Sequence, residues 1–275
     1  MNGVPSLIDI GANLAHDSFA DDLDDVIARA ASAGVRQIIV TGSSDDSNDS
    51  ALALARNYPG RLFCTAGVHP HHAKDYSDSS EEIIRRCASS PGCVAVGECG
   101  LDYFRNFSPR DAQIAAFEAQ LDIASATGLP VFLHQRDAHD DFVDILEPRL
   151  PDLSRAVAHC FTGEGESLRE YLAMGLYVGV TGWICDERRG RHLYDIAGII
   201  PDDRLMIETD APYLLPRTLT PRPSTRRNEP MYLTEVLRVV AEARGQTPDH
   251  VAEITAANAR RFFALDQVSI GNHIR

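Results

Sequence analysis

The chain has 275 residues, 44% of them hydrophobic, which is enough to bury a full core as one domain over 1–275. Its formal net charge of −14 makes the surface as a whole repel polyanions, which counts against a broad non-specific nucleic-acid binder and leaves only local contacts. Six cysteines (64, 87, 93, 99, 160, 185) lack zinc-ribbon or C-x-x-C spacing, which argues against a disulfide framework.

Short β-branched runs alternate with longer amphipathic stretches, the pattern of βα units around a parallel sheet. Strands are expected at Leu7 to Ile10, Gln37 to Thr41, Leu62 to Val68, Val94 to Glu98, Val131 to His134, Ala156 to Cys160, Leu176 to Val180 and Leu205 to Glu208. Helices are expected between them, at Asp21 to Ala33, Asp45 to Asn57, Glu81 to Ser89 and Arg110 to Thr127, with Gly34, Gly60 and Gly128 as stop signals. A Pro- and Arg-rich loop, Ala211 to Pro230, follows the eighth strand, and two helical stretches, Met231 to Arg244 and His250 to Phe263, end the pattern. Eight strands with intervening helices predict an α/β fold, a (β/α)8 TIM barrel; an open doubly wound sheet is the alternative, because closure is not written in a strand count. No basic region leads into an apolar stretch at the N-terminus, and no run nears the roughly 18 apolar residues that span a bilayer, so a cytoplasmic protein without membrane contact is expected.

Four of the expected strands carry, at or beside their C-terminal ends, a residue that can hold a divalent metal: Glu98, His134, His159 and Asp210. In a parallel barrel every strand delivers its C-terminal end to one face, so these four converge although they are far apart in sequence. Carboxylate oxygen and imidazole nitrogen together suit Mg, Mn or Zn, with a coordination position left open for water or substrate. A lone His at a strand end is more often a hydrogen-bonded core group; four such residues at matching strand ends favour a metal site. Asp210 is expected to act as general base, accepting the proton of an attacking water, with metal contact also open to it. Glu208, two residues earlier, faces the same side if the strand stays regular.

After the third strand, Gly67-Val68-His69-Pro70-His71-His72 holds His69 at the mouth, where it can shuttle protons or bind a phosphate oxygen. His71 and His72 are left between loop and site. Asp102 either orients a ligand or pairs with an arginine, and Arg136 is a better substrate contact than its neighbours Asp137 and His139. Between Ala211 and Asn228 there is no acidic residue, while Arg217, Arg222, Arg226 and Arg227 give local positive charge beside Asp210. Such arginines either bind phosphate or pair with surface carboxylates. Trp183, Tyr103 and Phe104 are either base-stacking groups or core.

The stretches GVHPH (67 to 71), GECGLD (97 to 102), FLHQRDAH (132 to 139), HCFTG (159 to 163), GVTGWICDERRG (179 to 190), ETDAPYLLPR (208 to 217) and RRNEP (226 to 230) closely resemble, in order, those of the TatD family of metal-dependent deoxyribonucleases. The resemblance covers nearly the whole chain. It implies a TIM barrel and hydrolysis of phosphodiester bonds, with 3′ to 5′ exonuclease action on single-stranded DNA and on RNA and a role in DNA repair or turnover. It also implies Glu98, His134 and His159 as metal ligands and Asp210 and His69 as catalytic or further metal-contacting groups, with Mg as the expected ion. One departure is visible: where most of the wider family carries Asp-x-His-x-His at the end of the first strand, this chain has Asp9-Ile10-Gly11-Ala12-Asn13. A single ion is therefore expected, a second one binding only with substrate phosphate. The expected partner is a single strand of DNA or RNA, taken by a monomer. Two other readings stay open: an amidohydrolase-type barrel acting on a small cyclic amide or nucleobase, and a nucleic-acid-binding barrel without turnover.

Overall fold

The structure is a computed structural model, and it describes residues 6–266; the two ends of the expected 1–275 domain lie outside the described residues. Eight strands form one sheet in the order of the sequence. They are β1 (Leu7–Ala12), β2 (Val35–Val40), β3 (Leu62–Ala66), β4 (Cys93–Asp102), β5 (Val131–Arg136), β6 (Ala156–Ala158), β7 (Tyr177–Val180) and β8 (Leu205–Ile207). Each pairs in parallel with the next. The helices α1 (Leu23–Ser32), α2 (Asp45–Asn57), α3 (Asp78–Ala88), α4 (Arg110–Thr127), α5 (His139–Leu146), α6 (Gly165–Ala173) and α7 (Arg191–Ile196) fill the connections, and α8 (Leu233–Arg244) and α9 (Pro248–Phe263) follow the last strand.

Closure lies just past the end of β8. Asp210 N–H donates to Gly11 O across 2.8 Å and Asn13 N–H to Ala211 O across 2.7 Å, so the eighth strand's continuation is bonded to the first. Asp9, fully buried, reinforces this seam by accepting the Thr209 N–H at 2.9 Å and the Thr209 hydroxyl. Sequential strand order and this seam give the barrel and exclude the open doubly wound sheet, whose order reverses partway.

All eight strands send apolar side chains into one interior cluster, among them Ile8, Ile39, Phe63, Val94, Phe132, Val157, Tyr177 and Met206. Phe262 and Phe263 of α9 complete it, Phe262 packing edge-on against Tyr177 at the N-terminal end of β7. The bottom of the barrel is thus plugged by α9, which leaves the C-terminal ends of the strands as the open face. No helix among the described residues is long and apolar enough to cross a membrane.

The strand that differs most from its sequence pattern is β4. It runs four residues past Glu98 to Asp102 because Gly97 (φ +131) and Gly100 (φ +139) hold backbone conformations closed to most L-residues. A Cβ at Gly97 would overlap Phe132 O, and one at Gly100 would overlap His134 O, so glycine is what lets β4 lie this close to β5. Between them the register steps from Gly97 opposite Phe132 to Cys99 opposite Leu133, leaving Glu98 as the unpaired residue of a bulge. Bulges re-aim side chains. Here Glu98 N–H turns to Gly42 O, across 2.8 Å, and its carboxylate turns to the open face.

Candidate metal centre

Glu98 Oε1 is the hub of the open face. His159 Nε2 lies 2.7 Å from it, His134 Nδ1 2.9 Å and His69 Nε2 3.3 Å. His69, Glu98 and His134 each bring a donor atom within 4.8 Å of the others, and His159 reaches the same oxygen from β6's end. Glu98 and His159 are buried, at 6% and 5% exposure, so water screens these contacts poorly.

The outer nitrogens of the rings are held from behind. Asp102 Oδ2 faces His134 Nε2 at 3.3 Å and His71 Nε2 at 2.8 Å, and fully buried Glu208 faces His159 Nδ1 at 3.3 Å. Glu208 also accepts the Cys160 N–H. Carboxylates behind the rings keep ring protons on those outer nitrogens, so the inner nitrogens of His134 and His159 aim lone pairs at an anionic oxygen. That arrangement requires positive charge at its centre, supplied by protons or by a cation. One carboxylate oxygen and two imidazole nitrogens form a donor set that fits a divalent ion. The titration of the cluster carries the same message. Burial opposes charge on His159, but Glu98 and Glu208 hold it well above its ordinary value; burial likewise opposes charge on His134, and Asp102 and Glu98 raise it. Burial would raise Glu98, but His159 and His69 outweigh it and hold the carboxyl well below its usual range. His69 is different: burial pushes it down to about 4. Its Nδ1 accepts the His71 N–H at 3.0 Å, which places the ring proton of the neutral form on Nε2, facing the cluster.

Asp210 stands at the rim, at the positive φ of 54° that follows β8. Burial pushes its carboxyl up to about 7, and Asn13 Nδ2 donates to its Oδ1 across 3.0 Å. The loop after it is pinned at its base by buried Asn228, whose side chain donates to Thr209 O at 2.9 Å and Tyr213 O at 2.7 Å. His69, Glu98, Asp102, His134, His159 and Asp210 line a cavity of about 810 Å³, within the ordinary range for ligand clefts.

The residues expected for substrate contact divide. Arg136, at the end of β5, lines the cavity and stacks over the Phe104 ring at 3.9 Å. Arg217 pairs with Asp186 at 3.4 Å and lines a separate small cavity with Arg188 and Arg222. Arg227 is bound into α1's end, to Asp22 at 2.7 Å and Glu229 at 2.8 Å, and Arg226 is exposed on the same loop. Neither Arg226 nor Arg227 lines the cavity; Arg105 and Arg189 do. His72 lines it from an exposed position, whereas His139 turns away to Glu170 at 2.7 Å. Arg189, Phe107 and Tyr213 were not singled out from sequence, although Arg189 lies within the GVTGWICDERRG stretch and Tyr213 three residues after Asp210. Proximity to those motifs was the available signal.

The family model for TatD related DNase matches residues 8–264. A 3'-5' ssDNA/RNA exonuclease TatD of Erwinia tasmaniensis is 52% identical over 259 residues, covering 94% of this chain and 100% of that protein. One of the same description from Salmonella typhimurium is 50% identical, covering 94% and 99%. Among solved structures, a TatD homolog from Escherichia coli superposes with a TM-score of 0.87 at 30% identity, covering 95% of this chain and 99% of that one.

Proposed function

The chain belongs to the TatD related DNase family, and on that premise we propose that it is a metal-dependent 3′ to 5′ exonuclease acting on single-stranded DNA and RNA. The observation that carries the proposal is the gathering of three histidines round one Glu98 oxygen, with Asp210 lining the same open cleft. Glu98, His134 and His159 would hold the ion, for which Mg is proposed. Once bound, a divalent cation supplies Lewis-acid stabilisation of phosphoryl oxygens and makes water a better nucleophile.

The remaining chemistry belongs to side chains of this chain. Water attacks the terminal phosphodiester phosphorus and Asp210 accepts its proton; the bond to the 3′ oxygen of the penultimate nucleotide breaks, that oxygen takes a proton from solvent to become a 3′-hydroxyl, and one nucleoside 5′-monophosphate leaves. A carboxyl held near 7 by burial is matched to that role at neutral pH, and Asn13 engages one of its oxygens while the other accepts. His69, with its proton on Nε2, donates a hydrogen bond to a phosphoryl or leaving oxygen. Arg136 places positive charge on the cleft wall, and Arg189 adds to it although its Nε is paired with Asp186 at 2.9 Å, which reconciles a polyanionic substrate with a net charge of −14. Arg226 is proposed to meet the strand as it leaves the cleft.

The test is a panel of matched single-stranded DNA, single-stranded RNA and a small cyclic amide, each incubated with Mg and then with EDTA. Stepwise shortening of both strands, abolished by EDTA, with no turnover of the amide, is the expected result. Amide hydrolysis without strand shortening would replace the nuclease reading with an amidohydrolase one.

A further inference from the structure

The large hydrophobic side chains exposed among the described residues are Phe104, Phe107 and Tyr213, at 52%, 59% and 52%. All three line the cavity that contains Glu98 and His134. Scattered exposed hydrophobics need no cause, but their concentration on one cleft points to a ligand with apolar faces.

Their placement is two-sided. Phe104 and Phe107 stand on the connection between β4 and α4, Phe107 edge-on to His71 at 4.8 Å. Tyr213 comes from the loop that follows β8, its N–H donating to Asp210 O at 2.9 Å. In an eight-stranded barrel taken in sequential order, the fourth and eighth strands are diametrically opposed. Between the walls, cations alternate with rings. Arg136 lies 3.9 Å from the Phe104 ring centre and 5.5 Å from that of Trp183, and Arg189 lies 4.6 Å from Trp183.

We propose that Phe104, Phe107 and Tyr213 are base-stacking platforms that restrict the site to an unpaired strand, its terminal bases splayed to the two walls and its phosphates tracked by Arg136 and Arg189. The proposal rests on the nuclease reading and adds what selects the strand. Within a duplex an internal base has both faces covered by its neighbours and the terminal base pair offers only one, so two separated platforms are served only by bases taken out of the stack. Stacking reads the π-face that every base has and leaves the 2′-hydroxyl unread, so DNA and RNA strands are held alike.

The test compares two single strands of equal length, one with bases throughout and one with three abasic nucleotides at its 3′ end. For the wild type and for Phe104→Ala, Phe107→Ala and Tyr213→Ala, kcat/KM is measured on both. Each substitution is expected to lower the ratio of base-bearing to abasic kcat/KM by about tenfold, with Phe104→Tyr restoring it. A ratio that stays at the wild-type value in all three variants overturns the stacking role while leaving the nuclease reading intact. Failure of the wild type to cut either strand overturns both. A second readout needs no turnover: Trp183 is the chain's single tryptophan, and its fluorescence in EDTA should be quenched by the base-bearing strand and far less by one made entirely of abasic nucleotides. Equal quenching by the two strands, unchanged in Phe104→Ala and Tyr213→Ala, overturns the proposal.

Discussion

Asn13 donates its side-chain amide to Oδ1 of Asp210 across 3.0 Å, joining residues 197 positions apart at the seam of the barrel. Asn13 stands where most of the wider family carries a histidine, and here its contact is with the carboxylate of a residue whose backbone the Asp210 N–H to Gly11 O bond fixes. On the proposed mechanism, the end of the first strand orients the base. Replacing Asn13 with Ala is expected to lower kcat roughly 10-fold with KM little changed, as for other residues that hold a reactive group in position. Steady-state kinetics on a labelled strand check this; an unchanged kcat would mean that Asp210 keeps its pose without the amide.

The bulge that aims Glu98 depends on glycine. At Gly100 a Cβ would meet the backbone of His134 at a φ of +139°, so Gly100→Ala forces β4 away from β5. A destabilisation of about 2–4 kcal/mol is expected in urea denaturation, together with weakened Mn binding by calorimetry. A variant with wild-type midpoint and metal affinity would show that the close approach is not needed.

The loop arginines and the cleft arginine should separate in salt dependence. Arg136 lines the cavity, so Arg136→Ala should flatten the plot of log kcat/KM against log salt by roughly 0.7, the amount for one phosphate contact on a single strand. Arg227 is engaged by Asp22 and Glu229, and Arg227→Ala should leave that slope unchanged. The opposite ranking would place the strand along the loop.

Stability should carry the signature of the same network. The hydrogen bond from Arg227, with burial opposing and Arg29 assisting, holds Asp22 at about 2 against its ordinary 3.8. A carboxyl depressed in the fold stabilises it fully above the unfolded value and loses that contribution as pH falls through the folded one. Wild type and Arg227→Ala should therefore differ in stability above pH 4 by under about 1 kcal/mol, this being a solvent-accessible pair, and converge as pH falls toward 2. A difference that grows with acidity would contradict the pairing.

The barrel was legible because strand periodicity and helix stops are local: α2 and α4 span the expected Asp45–Asn57 and Arg110–Thr127, and α4 closes at Gly128. The bulge was not, because register is a property of two strands and β4 alone reads as ending at Glu98. In the site, residue type told which side chains can donate to a metal, and strand ends told that they face one way. Charge counting could not tell a paired arginine from one that lines a cleft, since the partners of Arg227 lie 205 positions upstream at Asp22 and two downstream at Glu229. The exposure of Phe107 and Tyr213 was equally hidden, because an aromatic in a loop has the same sequence appearance whether it packs inward or stands in a cleft.

Glu98→Gln tests the centre of the account most directly. The measurement is the rate of stepwise shortening of a 5′-labelled single-stranded DNA with Mg, for wild type and variant side by side. Shortening by the wild type and a loss of more than about 100-fold in the variant, beyond what residues that only orient a ligand give, is the predicted result. Wild-type rates in Glu98→Gln would contradict it, placing the activity away from the histidine cluster.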